Sequence, residues 1–543
     1  SDVLFGAPDV NGAMILWGHS GTPGSASWPA HLYLNVAAAN ATNGRGIFTT
    51  DNYGATTTNA NNEVTNTAFT VSSGNWLGDD MESIGDINGD GIEDLIVSAP
   101  QDSPNGVAYA GSVWVILGKQ TGLAPTGTKD LNINLTTDIA SLGFRLNGVQ
   151  AYEHVPDTSA YGYHGGFAYA SPNAVSSIGD INGDGLGDFA VGSPSWDAST
   201  VYDNSVGDGR VYIFLGKSTG WNTGLLTAAD IILTNSISNL SSFGLTVDKA
   251  GDVNGDGYDD FVVAASTADF GGKANAGAAY LIYGAASYGS NNVVAENLVT
   301  AGRAIRWTGT AVNEYLGTGI TSGDWNGDGL NDVAVPSWYA DVVNSAGTTM
   351  TNAGRVALVY ADGSGLTQRG TTGNDTLSAT GAADRITGGS GNDTLSGIGS
   401  GDAMFGGAGD DVLSMSAANF QRIDGGPGVD TLRIVSTGGL AINLADIGVR
   451  LRGIEKIDLG TGANSVRLRL SDVLSLPDVA GTPTPFKING SAGQTVNLEA
   501  ASWTQSGSTS EGSVAYDVWI PNALPGANSL GALWIQQGVQ VIA

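Results

Sequence analysis

Four short stretches of this chain carry side-chain oxygens at a spacing suited to one kind of chemistry. GDINGDGIEDLIVSAP starts at residue 85, GDINGDGLGDFAVGSP at 179, GDVNGDGYDDFVVAAS at 251 and GDWNGDGLNDVAVPSW at 323. Counted from the first aspartate, polar residues fall at positions 1, 3, 5 and 9. These are Asp86, Asn88, Asp90 and Asp94; Asp180, Asn182, Asp184 and Asp188; Asp252, Asn254, Asp256 and Asp260; and Asp324, Asn326, Asp328 and Asp332. Alternate side chains of a tight loop converge on one point, and an all-oxygen donor set suits a hard cation with six to eight contacts, which is calcium. A glycine at position 6 (Gly91 in the first copy) admits the sharp turn, and the carbonyl of position 7 (Ile92, Leu186, Tyr258, Leu330) is expected to face the ion. The competing reading is a Gly/Asp turn without metal. It leaves three carboxylates crowded into nine residues with nothing to offset their repulsion.

A second set of carboxylates follows. From Gly370 the units GTTGNDTLS, ATGAADRIT, GGSGNDTLS, GIGSGDAMF and GGAGDDVLS repeat every nine residues, and GGPGVDTLR recurs at 425–433 after an interruption. The second and fourth units are degenerate. The pattern matches the G-G-x-G-x-D-x-U-x nonapeptide of a calcium-loaded parallel β-roll. Its aspartates are Asp375, Asp384, Asp393, Asp402, Asp411 and Asp430. A flexible Gly/Asp-rich linker is the alternative.

The elements that position these groups are strands. Each of the four loops runs into an apolar stretch such as LIVSAP, then a loop, then a second stretch such as GSVWVILG (111–118) or GRVYIFLG (209–216). Such pairs read as antiparallel strands, and their recurrence at separations of 94, 72 and 72 residues suggests propeller blades. The opening SDVLFGAPDVNGAMILWG aligns with EDLIVSAP…GSVWVILG, placing Asp2 where Asp94 stands. Five second-strand units but four complete loops predict a five-bladed ring with one split blade. Its missing inner strand would come from an upstream segment, another chain or a distant part of this one. The expected fold is all-β: a propeller over 1–365, a β-roll over 366–435 and a C-terminal β module over 436–543.

The loops depart from an EF-hand. Position 12 is valine (Val97, Val191, Val263, Val335) where an EF-hand has glutamate, and a strand follows instead of a helix. DxNxDGxxD between strands, with FG-like pairs (Phe243-Gly244, Leu316-Gly317) before it and GAP-like endings (Ala7-Pro8, Ala99-Pro100, Ser193-Pro194) after it, resembles the FG-GAP repeats of integrin α-chain propellers. That resemblance implies calcium on the propeller rim, in the loop between the inner strands of a blade. Residues 370–433 resemble RTX repeats, whose carboxylates from turns two apart share an ion with glycine carbonyls. Residues 450–543 resemble the terminal module of RTX adhesins and type I-secreted bacterial proteins.

Composition narrows the function. A net charge of −31 excludes bulk phosphate neutralisation, so nucleic acid is not an expected partner. With 82 glycines and 13% charged residues the chain suits turn-rich β structure. It has no cysteine, hence no disulfides or thiolate metal sites. No signal-peptide pattern and no 18-residue apolar run is seen, so a membrane span is not expected. The four histidines, His19, His31, His154 and His164, form no HExxH pair; the last two lie in a Tyr/Gly-rich insertion that reads as a surface loop or packing in preference to zinc. GKSTG at 216–220 imitates a GxSxG elbow, but GKQTG at 118–122 marks Ser218 as a turn residue after a blade strand. Loop aromatics (Trp28, Trp76, Tyr161, Tyr163, Trp196, Tyr202, Trp221, Trp338) suit either inter-blade packing or a sugar or protein contact. Arg450, Arg452, Lys456, Arg467 and Arg469 form a basic patch, read as a solvated strand face with an anionic partner as the sharper alternative.

The expected function is that of a secreted, calcium-dependent, non-catalytic protein of a bacterial cell surface or matrix, acting in adhesion, biofilm or a surface layer or filament. Its partner would be a protein or glycan, with self-assembly through the split blade. The alternative is the binding and secretion portion of an extracellular polysaccharide-acting enzyme. Calcium would be the switch, since millimolar levels outside cells saturate sites of roughly 10⁻⁴–10⁻³ M affinity.

Overall fold

The computed structural model describes residues 3–7, 12–16, 66–70, 80–118 apart from 91 and 101, 130–150, 175–196, 208–237, 241–475 apart from 327, 362, 364 and 437, 485–498, 503–521 and 532–543. Asp2, the four histidines, Trp28, Trp76, Tyr161, Tyr163 and Tyr202 lie outside them.

Alternating β-branched and aromatic residues bounded by glycine form short antiparallel strands, which stack as the blades of a β-propeller. Blade I holds Val3–Ala7, Gly12–Leu16 and Asn66–Thr70. Blade II holds Met81–Gly85, Asp94–Ala99, Ser112–Ile116 and Gly143–Asn147. Blade III holds Val175–Gly179, Asp188–Ser193, Arg210–Phe214 and Ile231–Thr234. Blade IV holds Val247–Gly251, Asp260–Ala265, Ala278–Ile282 and Ala304–Thr308. Blade V holds Thr321–Gly323, Asp332–Ser337 and Arg355–Val359. The opening fragment takes the second-strand place in blade I, as its sequence predicts. Among the described residues no inner strand completes that blade, and no strand pairing joins blade V to blade I.

In blade IV the middle strands are buried on both faces because the blade is sandwiched between blades III and V. DFVVAA (260–265) and AAYLI (278–282) are wholly buried. Adjacent blades are also stitched by backbone. Asp130–Asn134, Gly224–Leu225 and Asn292–Val294 each leave the segment before their own blade's fourth strand and pair in parallel with the outer strand of the preceding blade. The FG pairs fasten the same joints. Gly244 N–H donates to Ala264 O while the buried Phe243 packs edge-on against Tyr280.

From Gln368 the pairing changes to parallel. Thr376–Ser378, Thr394–Ile398, Val412–Met415 and Thr431–Ile434 stack into one sheet, and Arg385–Ser390, Ala403–Ala408 and Arg422–Asp424 into the facing one. Two nonapeptides thus make one coil of 18 residues, as in Thr376↔Thr394. The stack continues past residue 436. Lys456–Asp458, Phe486–Asn489 and Leu533–Gln536 extend the first sheet. Ser465–Leu468, Thr495–Leu498 and Gln540–Ile542 extend another begun by Ala441–Asn443. One apolar core runs from Ile386 to Ile535, so the C-terminal β module packs as further coils continuous with the roll. The physical reason is that each coil buries its apolar face only against the next. Buried Asn464 and Gln494 take over the turn-sealing role there, their amides donating to Leu459 O and to the carbonyls of Thr461 and Gly460 respectively.

The roll lies against the propeller's loops. Phe405 and Ala403 pack with Val253 and Leu330 in one apolar cluster. Around them, Arg385 Nε donates to Asp256 O (2.8 Å), Thr387 Oγ1 to Asp328 O (2.6 Å) and Val449 N–H to Gly185 O (3.4 Å).

Candidate calcium centres

Among the described residues the four loops close by a shared pattern of hydrogen bonds. In the third loop the position 1 aspartate accepts N–H groups from positions 4, 5 and 6: Asp252 Oδ1 from Gly255 (2.7 Å) and Asp256 (3.0 Å), and Oδ2 from Gly257 (2.7 Å). Asp180 repeats all three bonds, with Gly183, Asp184 and Gly185. Position 3 Oδ1 accepts the N–H of position 5, as in Asn88 to Asp90, and position 5 Oδ1 accepts that of position 7, as in Asp184 to Leu186 and Asp328 to Leu330. These interlocked turns hold the side-chain oxygens on the inside of the loop.

Position 9 is a clamp. Asp94 Oδ2 accepts Ile87 N–H and its Oδ1 accepts Gly118 N–H, tying the loop to the end of the third strand. Asp188 does the same with Ile181 and Gly216, Asp260 with Val253 and Gly284, and Asp332 with Trp325 and Ala361. Ser218 is accordingly the second residue beyond the clamped Gly216, in a turn.

The loops join into a belt. Gly187 N–H donates to Asp86 O of the preceding blade, and Asp259 N–H to Asp180 O. In the first three loops the residue before position 1 is glycine at positive φ (+72° at Gly85, +78° at Gly179, +67° at Gly251). A Cβ on Gly179 would stand 2.3 Å from Asp259 Oδ2, so only glycine lets position 8 of the next blade approach.

Asp259 is a residue that the loop pattern did not single out. Its Oδ2 accepts Asp180 N–H, and its Oδ1 accepts Arg422 Nη1 (2.5 Å) and Arg452 Nη2 (3.0 Å) from the roll. It thus joins blade III, blade IV and the roll. Arg369 pairs likewise with Asp328 (2.5 Å). The basic patch therefore divides: Arg452 meets an anionic partner in its own chain, and Arg469 pairs with the neighbouring Asp472. The only sequence signal for Asp259 was an acid at position 8, which the first loop shares as Glu93 while the other two have Gly187 and Asn331.

In the roll, alternate aspartates fall on opposite edges. On one edge Asp393 Oδ1 accepts Asp375 N–H, Asp411 Oδ1 accepts Asp393 N–H and Asp430 Oδ1 accepts Asp411 N–H, each at 2.7 Å. The second oxygens of Asp393, Asp411 and Asp430 are buried without a hydrogen-bond partner. On the other edge Asp402 Oδ2 accepts Gly399 N–H and Asp384 Oδ2 accepts Thr380 N–H. That edge belongs to the degenerate units, whose strands carry Arg385 and Ala403 onto the propeller.

Burial dominates the electrostatics. It pushes Asp94 up to about 8, Asp180 and Asp252 to about 7, and Asp188 and Asp260 well above the carboxylate range. Asp411 rises to about 7 and Asp430 to about 9, again through burial first and neighbouring carboxylates after it. Folded values above unfolded ones mean that the calcium-free fold binds more protons than the unfolded chain, so its stability falls as pH rises from about 4 to about 9. Denaturation in chelator is expected to show greater stability at pH 5 than at pH 8, by on the order of 3 kcal/mol from Asp411 alone. A flat or opposite slope in urea titrations would remove this electrostatic reading.

These donor sets fit calcium. Among the described residues no three acidic or histidine side chains form a metal-holding group by themselves. Both kinds of site are mixed, with carboxylate beside asparagine or backbone carbonyl, as hard-cation chemistry accepts. The orphaned oxygens lie beside glycine carbonyls: a Cβ on Gly388 would stand 2.3 Å from Asp393 Oδ2 and 2.4 Å from Gly406 O.

Comparison with known proteins agrees with this geometry. The FG-GAP repeat matches residues 83–116, 172–214 and 243–282, and the RTX calcium-binding nonapeptide repeat matches 369–402. The chain is 32% identical over 192 residues to integrin alpha-PS2 of Drosophila melanogaster, covering 34% of this chain and 11% of that protein. It is 30% identical over 232 residues to phosphatidylinositol-glycan-specific phospholipase D of Bos taurus (42% and 24%), and 29% identical over 187 residues to integrin alpha-IIb of Mus musculus (34% and 14%). The chain thus spans a quarter or less of these relatives. It joins FG-GAP repeats to RTX nonapeptide repeats, and calcium is the cofactor of both repeat classes.

Proposed function

We propose that this FG-GAP and RTX fusion is a secreted, calcium-dependent binding protein of a cell surface or extracellular matrix, with no catalytic role of its own. The observation that carries the reading is the row of buried Oδ2 atoms of Asp393, Asp411 and Asp430 without a hydrogen-bond partner, taken together with the closed loops of the propeller. Positions 1, 3, 5, 7 and 9 of each loop, and the six nonapeptide aspartates, are the residues assigned to calcium. Asp375, Asp384 and Asp402, whose Oδ2 atoms are already held by their own turns, are the weakest of these donors. Calcium at extracellular levels fills the sites and stabilises the fold; low calcium leaves the carboxylates unneutralised and favours the exportable, unfolded chain. Among the described residues no helix is long and apolar enough to cross a membrane.

The test is retention of the purified chain on arrays of glycans and matrix proteins. Retention in millimolar calcium that disappears in chelator is expected. Equal retention in both conditions contradicts a calcium-dependent binder. The second reading, an accessory portion of an extracellular enzyme, draws on the phospholipase D relatives. Turnover of polysaccharides or esters by this chain would favour it.

Self-assembly has a surface suited to it. Val356 and Leu358 of blade V are 65% and 42% exposed, while Ala279 and Leu281, at the same places in blade IV, are buried under blade V. We assign this uncovered face to a further blade of the same kind. Sedimentation of the Leu358→Glu variant should show a smaller particle than wild type, and no change in mass would exclude the face.

A further inference from the structure

We infer that the row of calcium sites in the roll extends one coil beyond the nonapeptide repeats, with Glu455 supplying the last acidic ligand. This rests on the calcium reading of the roll. The carboxylate ladder does not stop at Asp430. Asp430 N–H donates to Glu455 Oε2 at 2.8 Å, as Asp411 N–H does to Asp430 Oδ1. The strands after them stay in register, Thr431 opposite Lys456.

The cradle repeats as well. Asp393 Oδ2 lies beside Gly406 O over Gly388, and Asp411 Oδ2 beside Gly425 O over Gly406. The third member brings Asp430 Oδ2 beside Gly453 O over Gly425, where a Cβ would stand 2.7 Å from the former and 1.8 Å from the latter. Asp430 is fully buried, and its Oδ2 has no hydrogen-bond partner. A carboxylate oxygen in that state points to a cation that completes it. Glu455 is itself 2% exposed, facing Asp430 from the next coil.

The nonapeptide pattern is absent here for a geometric reason. Gly425 and Asp430 are five positions apart, whereas Gly453 and Glu455 are two apart. The turn is shortened by three residues, and the acid that reaches Asp430 N–H from it is the longer glutamate. Beyond it the coils carry Asn464 and Gln494, which satisfy carbonyls directly and need no ion. Glu455 therefore marks the boundary between the ion-closed and the amide-closed halves of the solenoid.

The test is anomalous scattering from crystals of the full chain grown with calcium, for wild type and Glu455→Gln. The amide retains an acceptor for Asp430 N–H, so the fold is kept while the charge is lost. A wild-type peak between Asp430 Oδ2, Gly453 O and Glu455 is expected, absent in the variant, with the peaks beside Asp393 and Asp411 unchanged. Peaks beside Asp393 and Asp411 with none at Asp430, or identical maps for the two proteins, overturn the inference alone. No peak anywhere along the roll overturns it together with the calcium reading.

Discussion

Replacing Arg422 by alanine is expected to cost about 3–5 kcal/mol, the cost of leaving a buried charge without its partner. Arg422 and Asp259 are both nearly buried (5% and 7% exposed side chains), and their contact spans 163 residues. Arg452 also reaches Asp259, but its side chain is 40% exposed and solvent screens what it contributes. The loss should appear as separation of one cooperative unfolding transition into two, propeller and roll. A double-mutant cycle with Asp259→Asn distinguishes the pair from general damage. If the two changes couple through the interface, the double variant loses less than the sum of the singles. Strict additivity, or a single unshifted transition in Arg422→Ala, would show that the roll is held elsewhere.

The second large effect is calcium removal. Each filled site stabilises the fold by roughly 2.7 kcal/mol when free calcium is a hundred times its dissociation constant. Chelation should therefore act unevenly along the solenoid. Backbone amides at the turns of the Asp393–Asp411–Asp430 edge, such as those donated by Gly391 and Gly409, should lose hydrogen-exchange protection by orders of magnitude. Amides donated by Thr495 and Gln540 in the amide-sealed coils should lose far less. Uniform loss along the roll would mean that one apolar core, and not the ion row, governs its cooperativity.

Much of this arrangement was legible in the residues because it is local. The DxNxDGxxD loops closed as their spacing dictates, positions 3, 5 and 9 finding the same backbone donors in all four. The nine-residue period predicted the parallel coils, and two units per coil place Asp375, Asp393 and Asp411 on one edge. Parts that depend on distant chain were not legible. Asp259 looks like one more loop acid until Arg422 arrives from 163 residues away. Two of the strands traded between blades, Gly224–Leu225 and Asn292–Val294, are too short to carry a periodic signal. The continuation of the roll beyond 436 was hidden because the Gly/Asp pattern stops while the pairing does not. The degenerate units ATGAADRIT and GIGSGDAMF, which looked like decay, are followed by the strands that dock on the propeller.

Calcium is assigned to both the loop belt and the row of roll carboxylates, and the calcium content of the chain after equilibrium dialysis against millimolar calcium, measured by atomic emission, checks that assignment. More bound ions per chain are expected than the four that the complete loops would take. A folded chain that emerges with four bound ions or fewer contradicts it.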